Sequence, residues 1–227
     1  MKKRNIVLLS ALFVFAASLA FKAAADTHNV ALFWIIKNSV EKKQSDQKWQ
    51  NAKKGELIFD NDYVRTQKES FALIKFNDAS TLRLGPNAEV QLYGVDNPAS
   101  TNVTGGDVGF TMTKRKDKPF EFTTPTSVAS IRGTQGLLVV LSGEDLLTIV
   151  EGMVRFENKV SHDTINVGAG ETGVSGENGN INVHKSTLDD LNRLAQLNNV
   201  FGGKHELKLQ YRGSDGKMHE IIIETQQ

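Results

Sequence analysis

From residue 30 onward, apolar and polar positions alternate with period two in short runs broken by turn residues. Val30, Leu32 and Trp34 alternate before Ile35-Ile36 breaks the period, and on that alternation Trp34 is expected to face a core. Residues 42–50 are polar and read as a turn that carries Trp49. Tyr63 to Thr66 forms a short strand ahead of a turn at 67–69. In the next run Phe71, Leu73 and Lys75 share one face and Ala72, Ile74 and Phe76 the other. Asn77-Asp78 turns the chain, Thr81 to Leu84 resumes it, Gly85-Pro86-Asn87 turns it again, and Val90 and Leu92 alternate with Gln91 and Tyr93. Such runs, punctuated by Asn, Asp, Gly and Pro, mark an all-β chain.

Residues 97–107 are polar and contain glycine, and read as a loop. Val108, Phe110 and Met112 then lead to a hairpin tip at 114–118, and Phe120 and Phe122 return from it. Lys114, Arg115, Lys116 and Lys118 at this tip read as a solvated hairpin end that keeps a sheet edge soluble. Further strands follow around 128–131, 137–141, 146–150 and 153–156, then Ile165 and Val167, a Gly-rich stretch at 168–179, and Ile181 to Val183. No repeat of fixed period is present, and the near-regular spacing predicts a solenoid-like or sandwich arrangement of short strands.

One segment has a different period. Leu188, Leu191, Leu194 and Leu197 recur every three residues with Ala195 beside them, after a Ser186 or Thr187 cap and acidic Asp189 and Asp190. This predicts a short amphipathic helix over 185–200, docked on its own domain. Beyond it, Leu207, Leu209 and Tyr211 alternate, Ser214-Asp215-Gly216-Lys217 supplies a turn, and 218–224 returns. Residues 201–227 are therefore expected to form a carboxy-terminal β-hairpin, which must pack on the body or on a partner.

The amino terminus has the three parts of a secretory signal peptide: basic Lys2, Lys3 and Arg4, an apolar run over 6–21, and Ala23-Ala24-Ala25 before Asp26. Cleavage is expected after Ala25, or else after Ala20, so that 1–25 is the leader and 26–184 the all-β domain. The alternative is an uncleaved anchor, although the run is short of the roughly 20 apolar residues of a comfortable span. The expectation is an exported protein, periplasmic or extracellular, with no membrane span after cleavage. The chain has no cysteine, which excludes a lipid-modified cysteine and any disulfide. The whole chain has 27 basic and 26 acidic residues, and four of the basic ones lie in the leader, leaving a net charge of −3. A mildly acidic domain lacks the positive footprint that phosphate backbones need, so nucleic acid is not an expected partner.

Site chemistry is sparse. His28, His162, His184, His205 and His219 are isolated, with no His-x-His pair and no His-Glu-x-x-His. No Gly-x-Ser-x-Gly elbow occurs, and the stretches at 133–136 and 168–170 lack the lysine and following helix of a phosphate loop. Glu144, Asp145 and Glu151 lie near turns without a pattern that brings two together. No catalytic, metal or cofactor-binding residue is assigned, and no cofactor is expected.

Several landmarks stand in the order found in FecR-domain proteins. Residues 52–57 followed by Asp62-Tyr63-Val64-Arg65-Thr66 resemble that family's opening, and 71–80 with 82–87 its central block. Residues 120–125 and Ser130-Ile131-Arg132-Gly133-Thr134 are similar to its second half, and 150–154 with 167–171 to its end. The resemblance spans residues 50–175 and implies an extracytoplasmic β domain. The motif positions Arg65, Thr66, Asp78, Ser80, Arg132, Gly133, Thr134, Glu151 and Gly152 are read as structural, with Arg132-Gly133-Thr134 a bulge or tight turn and Arg65 and Arg132 capping carbonyls at sheet ends. Where the family usually has glycine, Ala79 stands here, so a turn of another type is expected. FecR regulators also carry an anti-sigma segment and a membrane helix ahead of this domain, a place taken here by the signal peptide. The resulting expectation is a non-catalytic binding or scaffold protein of the bacterial envelope that contacts an envelope protein. The alternative is a carbohydrate- or surface-adhesion module using aromatics such as Trp34, Trp49 or Tyr93, and a hydrolase with an unrecognised site ranks below both.

Overall fold

A computed structural model describes residues 29–94, 100–114 and 119–201 in full, and the backbone of 206–212 and 218–224. The expected leader, the tip at 115–118 and the turn at 213–217 lie outside the described residues.

The chain is mainly β. In order its strands are β1 (Asn29–Lys37), β2 (Val40–Gln44), β3 (Gln50–Asn51), β4 (Leu57–Phe59), β5 (Asp62–Thr66), β6 (Phe71–Phe76), β7 (Thr81–Leu84), β8 (Glu89–Tyr93), β9 (Ser100–Thr111) and β10 (Phe120–Thr123). There follow β11 (Ser127–Ile131), β12 (Gln135–Val140), β13 (Glu144–Glu151), β14 (Met153–Asn158), β15 (Thr164–Gly168), β16 (Glu171–Gly176) and β17 (Ile181–Lys185). Helix α1 (Leu188–Val200) and the hairpin β18 (Glu206–Arg212) and β19 (Met218–Glu224) complete the chain.

The first 17 strands form two facing sheets that the chain stitches together. The front sheet runs β4-β1-β6-β7-β9-β12-β13-β16-β17, with every pair antiparallel. The back sheet runs β3-β2-β5-β8-β9-β10-β11-β14-β15, antiparallel except for the parallel β9–β10 pair. Beyond β9 the chain lays down one hairpin at a time on alternate sheets. The result is a sandwich that grows along one axis, as a solenoid does.

Strand β9 belongs to both sheets. Residues 100–105 pair in the back sheet and 106–111 in the front sheet. The expected loop at 97–107 is therefore corrected from residue 100 on: Thr101 and Val103 face inward while Ser100, Asn102 and Thr104 face out, so the polar composition reflects one wet face. The crossing needs glycine. Gly106 has φ +85°, and a Cβ there would stand 2.5 Å from the Ala88 Cα.

Between the sheets lies one core, in which Phe33, Phe110, Phe120, Phe122 and Phe156 are fully buried. The Phe110, Phe120 and Phe122 rings meet at centroid distances of 5.1–5.2 Å. Trp34 is not part of this core. Phe33 pairs with Ile74 and Ile35 with Leu73, so Trp34 is the extra residue of a β-bulge and is 50% exposed. The bulge shifts the phase of the strand, and Val30, Ala31 and Phe33 go inside.

Helix α1 straps the outer face of the front sheet. Thr187 caps it in a capping box with Asp190. Leu191, Leu194 and Leu197 pack on Leu137, Val139 and Val150 as a second, smaller core, whereas Leu188 is exposed. A 13-residue helix is about 20 Å long. The strands from β13 to β6 are four steps apart, about 19 Å at 4.8 Å each. The far end of the helix accordingly reaches β6 and β1, where Phe201 meets the Phe71 ring at 6.3 Å and Lys37 Nζ donates to the Val200 carbonyl. Gly85 and Gly109 leave the space that Leu197 fills. The hairpin β18–β19 forms a separate two-stranded sheet.

Candidate functional site

The motif positions fall at turns and crossings. Thr66 is buried at the end of β5; its hydroxyl donates to the Gly85 carbonyl at 2.6 Å and accepts from the Ala88 N–H at 2.9 Å. Asp78 accepts from the Ser80 N–H at 2.9 Å and from the Thr113 hydroxyl at 3.3 Å, while Ser80 Oγ accepts the Thr113 N–H at 3.1 Å. These bonds fix the β6–β7 turn against the end of β9. Ala79, between Asp78 and Ser80, has φ +67°. The alanine thus keeps the left-handed conformation that favours glycine, and the substitution does not bring a conformation free of that strain.

Gly133, at φ +64°, and Gly152, at φ +91°, bracket Thr134: a Cβ on Gly152 would lie 2.8 Å from Thr134 Oγ1 and 3.0 Å from the Gly133 carbonyl oxygen. Arg132 and Glu151 are exposed beside them. Among the described residues Arg65 shows no bond to a carbonyl. It donates to Glu41 at 2.7 Å and lies 4.1 Å from the Trp49 ring centroid. The bond from Arg65 holds the Glu41 carboxyl below the usual carboxylate range.

The outer face of the back sheet carries aromatics, and cations cover them. Lys43 Nζ lies 5.0 Å from the Trp49 ring and 4.8 Å from the Tyr63 ring, and Arg65 also packs on Trp49. Burial, with Tyr63 and Asp60 nearby, raises the Tyr93 hydroxyl. On the front sheet, Lys75 stands 5.0 Å over the exposed Trp34.

The sequence reading missed a buried polar plug. Asp145 is fully buried at the start of β13, and its Oδ2 accepts from the hydroxyls of Thr124, Thr126 and, at 2.8 Å, Ser127. Those three residues belong to the β10–β11 turn of the opposite sheet. Asn158 extends the network, donating to Ser175 Oγ at 2.9 Å and to the Gly176 carbonyl at 2.7 Å. The parity of Asp145 with Leu147 and Ile149 was the available signal, since residues two apart on a strand share a face.

The two ends of the stack differ. At one end the edges are blunted: β3 has two residues, β4 has three, and β1 is bulged twice. At the other end β15 and β17 are five-residue strands of regular register without proline, each paired on one side among the described strands. Strand β15 packs across the core on β13, β16 and β17. Ile165 and Ile181 close the core there and are only partly buried. Val183 shares the inward parity of Ile181 and is 41% exposed, and Val160 in the adjoining turn is 60% exposed. Unprotected strand edges beside an unfinished core form a surface on which another strand can add. Among the described residues, no three His, Cys, Asp or Glu gather as a metal site, and no helix is long and apolar enough to cross a membrane.

Residues 62–155 match the profile of the FecR protein family. No curated protein matches the chain significantly. Among solved structures, two crystal structures of an anti-sigma-factor candidate from Parabacteroides distasonis share the fold, with TM-scores of 0.52 and 0.53 at 12% identity. The matches cover 60% of this chain and 64% and 65% of those chains, less than two thirds of their length. Over residues 62–155 this chain is thus similar to the FecR protein family.

Proposed function

We propose that this protein works after export as a non-catalytic contact module of the bacterial envelope, binding another protein through the open end of its β stack. The observation that carries this reading is the pair of regular, unprotected edges β15 and β17 beside the half-exposed Val183. The motif residues support it from the other side. Thr66, Asp78 and Ser80 spend their polar atoms on turns, while Gly133 and Gly152 supply the conformations and close approaches of crossings. In this reading they hold the frame that presents the edge. A glycan-binding role is less well supported, because Trp49, Tyr63 and Trp34 each have a cation over the ring where a sugar would stack.

The test is photo-crosslinking in intact cells, with a photoreactive residue in place of Asn166 on the β15 edge or in place of Tyr63 on the outer back face. Capture of a discrete protein adduct from position 166 and none from position 63 is expected. Adducts from position 63 alone, or from neither position, would overturn the proposal.

A further inference from the structure

Building on the reading of the open end as a protein-contact surface, we infer that its occupant is the carboxy-terminal hairpin β18–β19 of a second copy of this chain. The hairpin has the right pattern. Leu207 pairs with Ile223, Leu209 with Ile221 and Tyr211 with His219, so the apolar positions 207, 209, 211, 221 and 223 share one face. A two-stranded sheet with such a face is marginal alone and needs a surface to cover it. Among the described strands it pairs with none of the stack.

The open end needs a rung of this kind. Hairpins β12–β13, β14–β15 and β16–β17 were added to the front, back and front sheets in turn. The next place in that order is the back sheet beside β15, where an added hairpin would lie across from Val183 and Ile181. Its apolar face would continue the core that Ile165, Ile181 and Val183 leave open, and its first strand would take the free β15 edge.

Reach assigns the hairpin to another copy. Helix α1 carries the chain away from this end and leaves Phe201 against Phe71 on β6. From β6 to β17 the front sheet has six strand steps, about 29 Å. Five residues from Phe201 to Glu206 extend at most about 18 Å. The back sheet lies farther still, about 10 Å beyond the front sheet. The hairpin of one copy therefore cannot pair along its own β15, whereas that of a neighbour can. Each copy is both donor and acceptor, and association either closes reciprocally or propagates head to tail.

The test is sedimentation of the chain from Asp26 to Gln227 over a concentration series, alongside Val183→Asp, which charges the acceptor, and Leu209→Asp, which charges the donor face. The wild type is expected to associate and each variant to sediment as a monomer. The two variants mixed in equal amounts are expected to form a one-to-one complex of twice the monomer mass, because one keeps a working hairpin and the other a working open end. A variant whose hairpin simply unfolds is still a dead donor, and the mixture still reads out the acceptor. A monomeric wild type would overturn the inference, as would association that survives both substitutions or a mixture that stays monomeric. A monomeric wild type together with capture of a different protein from position 166 would remove the second-copy occupant and leave the envelope-contact reading standing. No capture from position 166 would remove that reading itself.

Discussion

Asp145→Ala is the most direct probe of how the two sheets are held together away from the aromatic core. In the folded protein one carboxylate oxygen on β13 receives hydroxyl donors from Thr124, Thr126 and Ser127 across the sandwich, and all four residues are buried. Removing the acceptor leaves three hydroxyls in a site closed to water. Thr124 and Ser127 lie 2.8 Å apart and can bond each other, and Thr126 retains a 3.2 Å bond to the Ser175 carbonyl. One to two donors are then without full partners, at about 1–3 kcal/mol each, and hydrogen bonds to a charged group worth about 1.5–3 kcal/mol each disappear. Relief of the desolvated carboxylate, whose Oδ1 has no hydrogen-bond partner, offsets part of this. The net loss is expected near 3 kcal/mol. With a urea slope of about 2 kcal/mol/M, this lowers the unfolding midpoint by about 1.5 M. Asp145→Asn keeps the shape and one acceptor oxygen and is expected to lose about half as much. Urea unfolding followed by tryptophan fluorescence and by circular dichroism measures both. A midpoint for Asp145→Ala within about 0.25 M of wild type, equivalent to about 0.5 kcal/mol, would refute the plug as a structural tie. Equal losses for the alanine and asparagine variants would refute the account based on acceptors.

Two further substitutions test the backbone and the helix dock. Ala79→Gly relieves a left-handed residue at φ +67°, worth about 1–2 kcal/mol, against up to about 1 kcal/mol of added unfolded-chain entropy. A higher thermal midpoint is expected, and a lower one by calorimetry would show that Ala79 carries no strain. Asp107 lies under α1 with Arg193 at 3.9 Å, and burial raises its carboxyl above the usual range despite that cation. A carboxyl raised in the folded state penalises folding when ionised, so this penalty is present at neutral pH and fades as pH falls through the folded pKa. Asp107→Asn should therefore exceed wild type in stability at neutral pH, with the gap closing on acidification; urea midpoints across a pH series that show a constant gap would reject this.

How much of this was legible in sequence depended on whether one strand could be read by itself. The alternation of Phe71 to Phe76 places Ala72, Ile74 and Phe76 inside as written, and the leucine stripe of α1 finds its own domain. Trp34 was misread because a bulge inserts one residue and inverts the parity of everything before it, and a bulge leaves no mark in composition. Residues 100–107 read as loop because the run is polar and contains glycine, despite its strand-favouring threonines. A strand with one wet face and a glycine bend needs only Thr101 and Val103 on its inner side, and pairing with β8 and β10 supplies the rest. The site itself was the least legible part, for a topological reason. Nothing in Thr164 to Gly168 or Ile181 to Lys185 says that these are the last strands of their sheets; that follows only once α1 turns back across the front sheet instead of adding another rung. The same turn that leaves the outer edge of β15 without a partner among the described strands also carries the next hairpin beyond reach of it. The open edge and the unpartnered hairpin thus share one cause, the path of thirteen helical residues, and a helix that crosses four strands sets both halves of the contact.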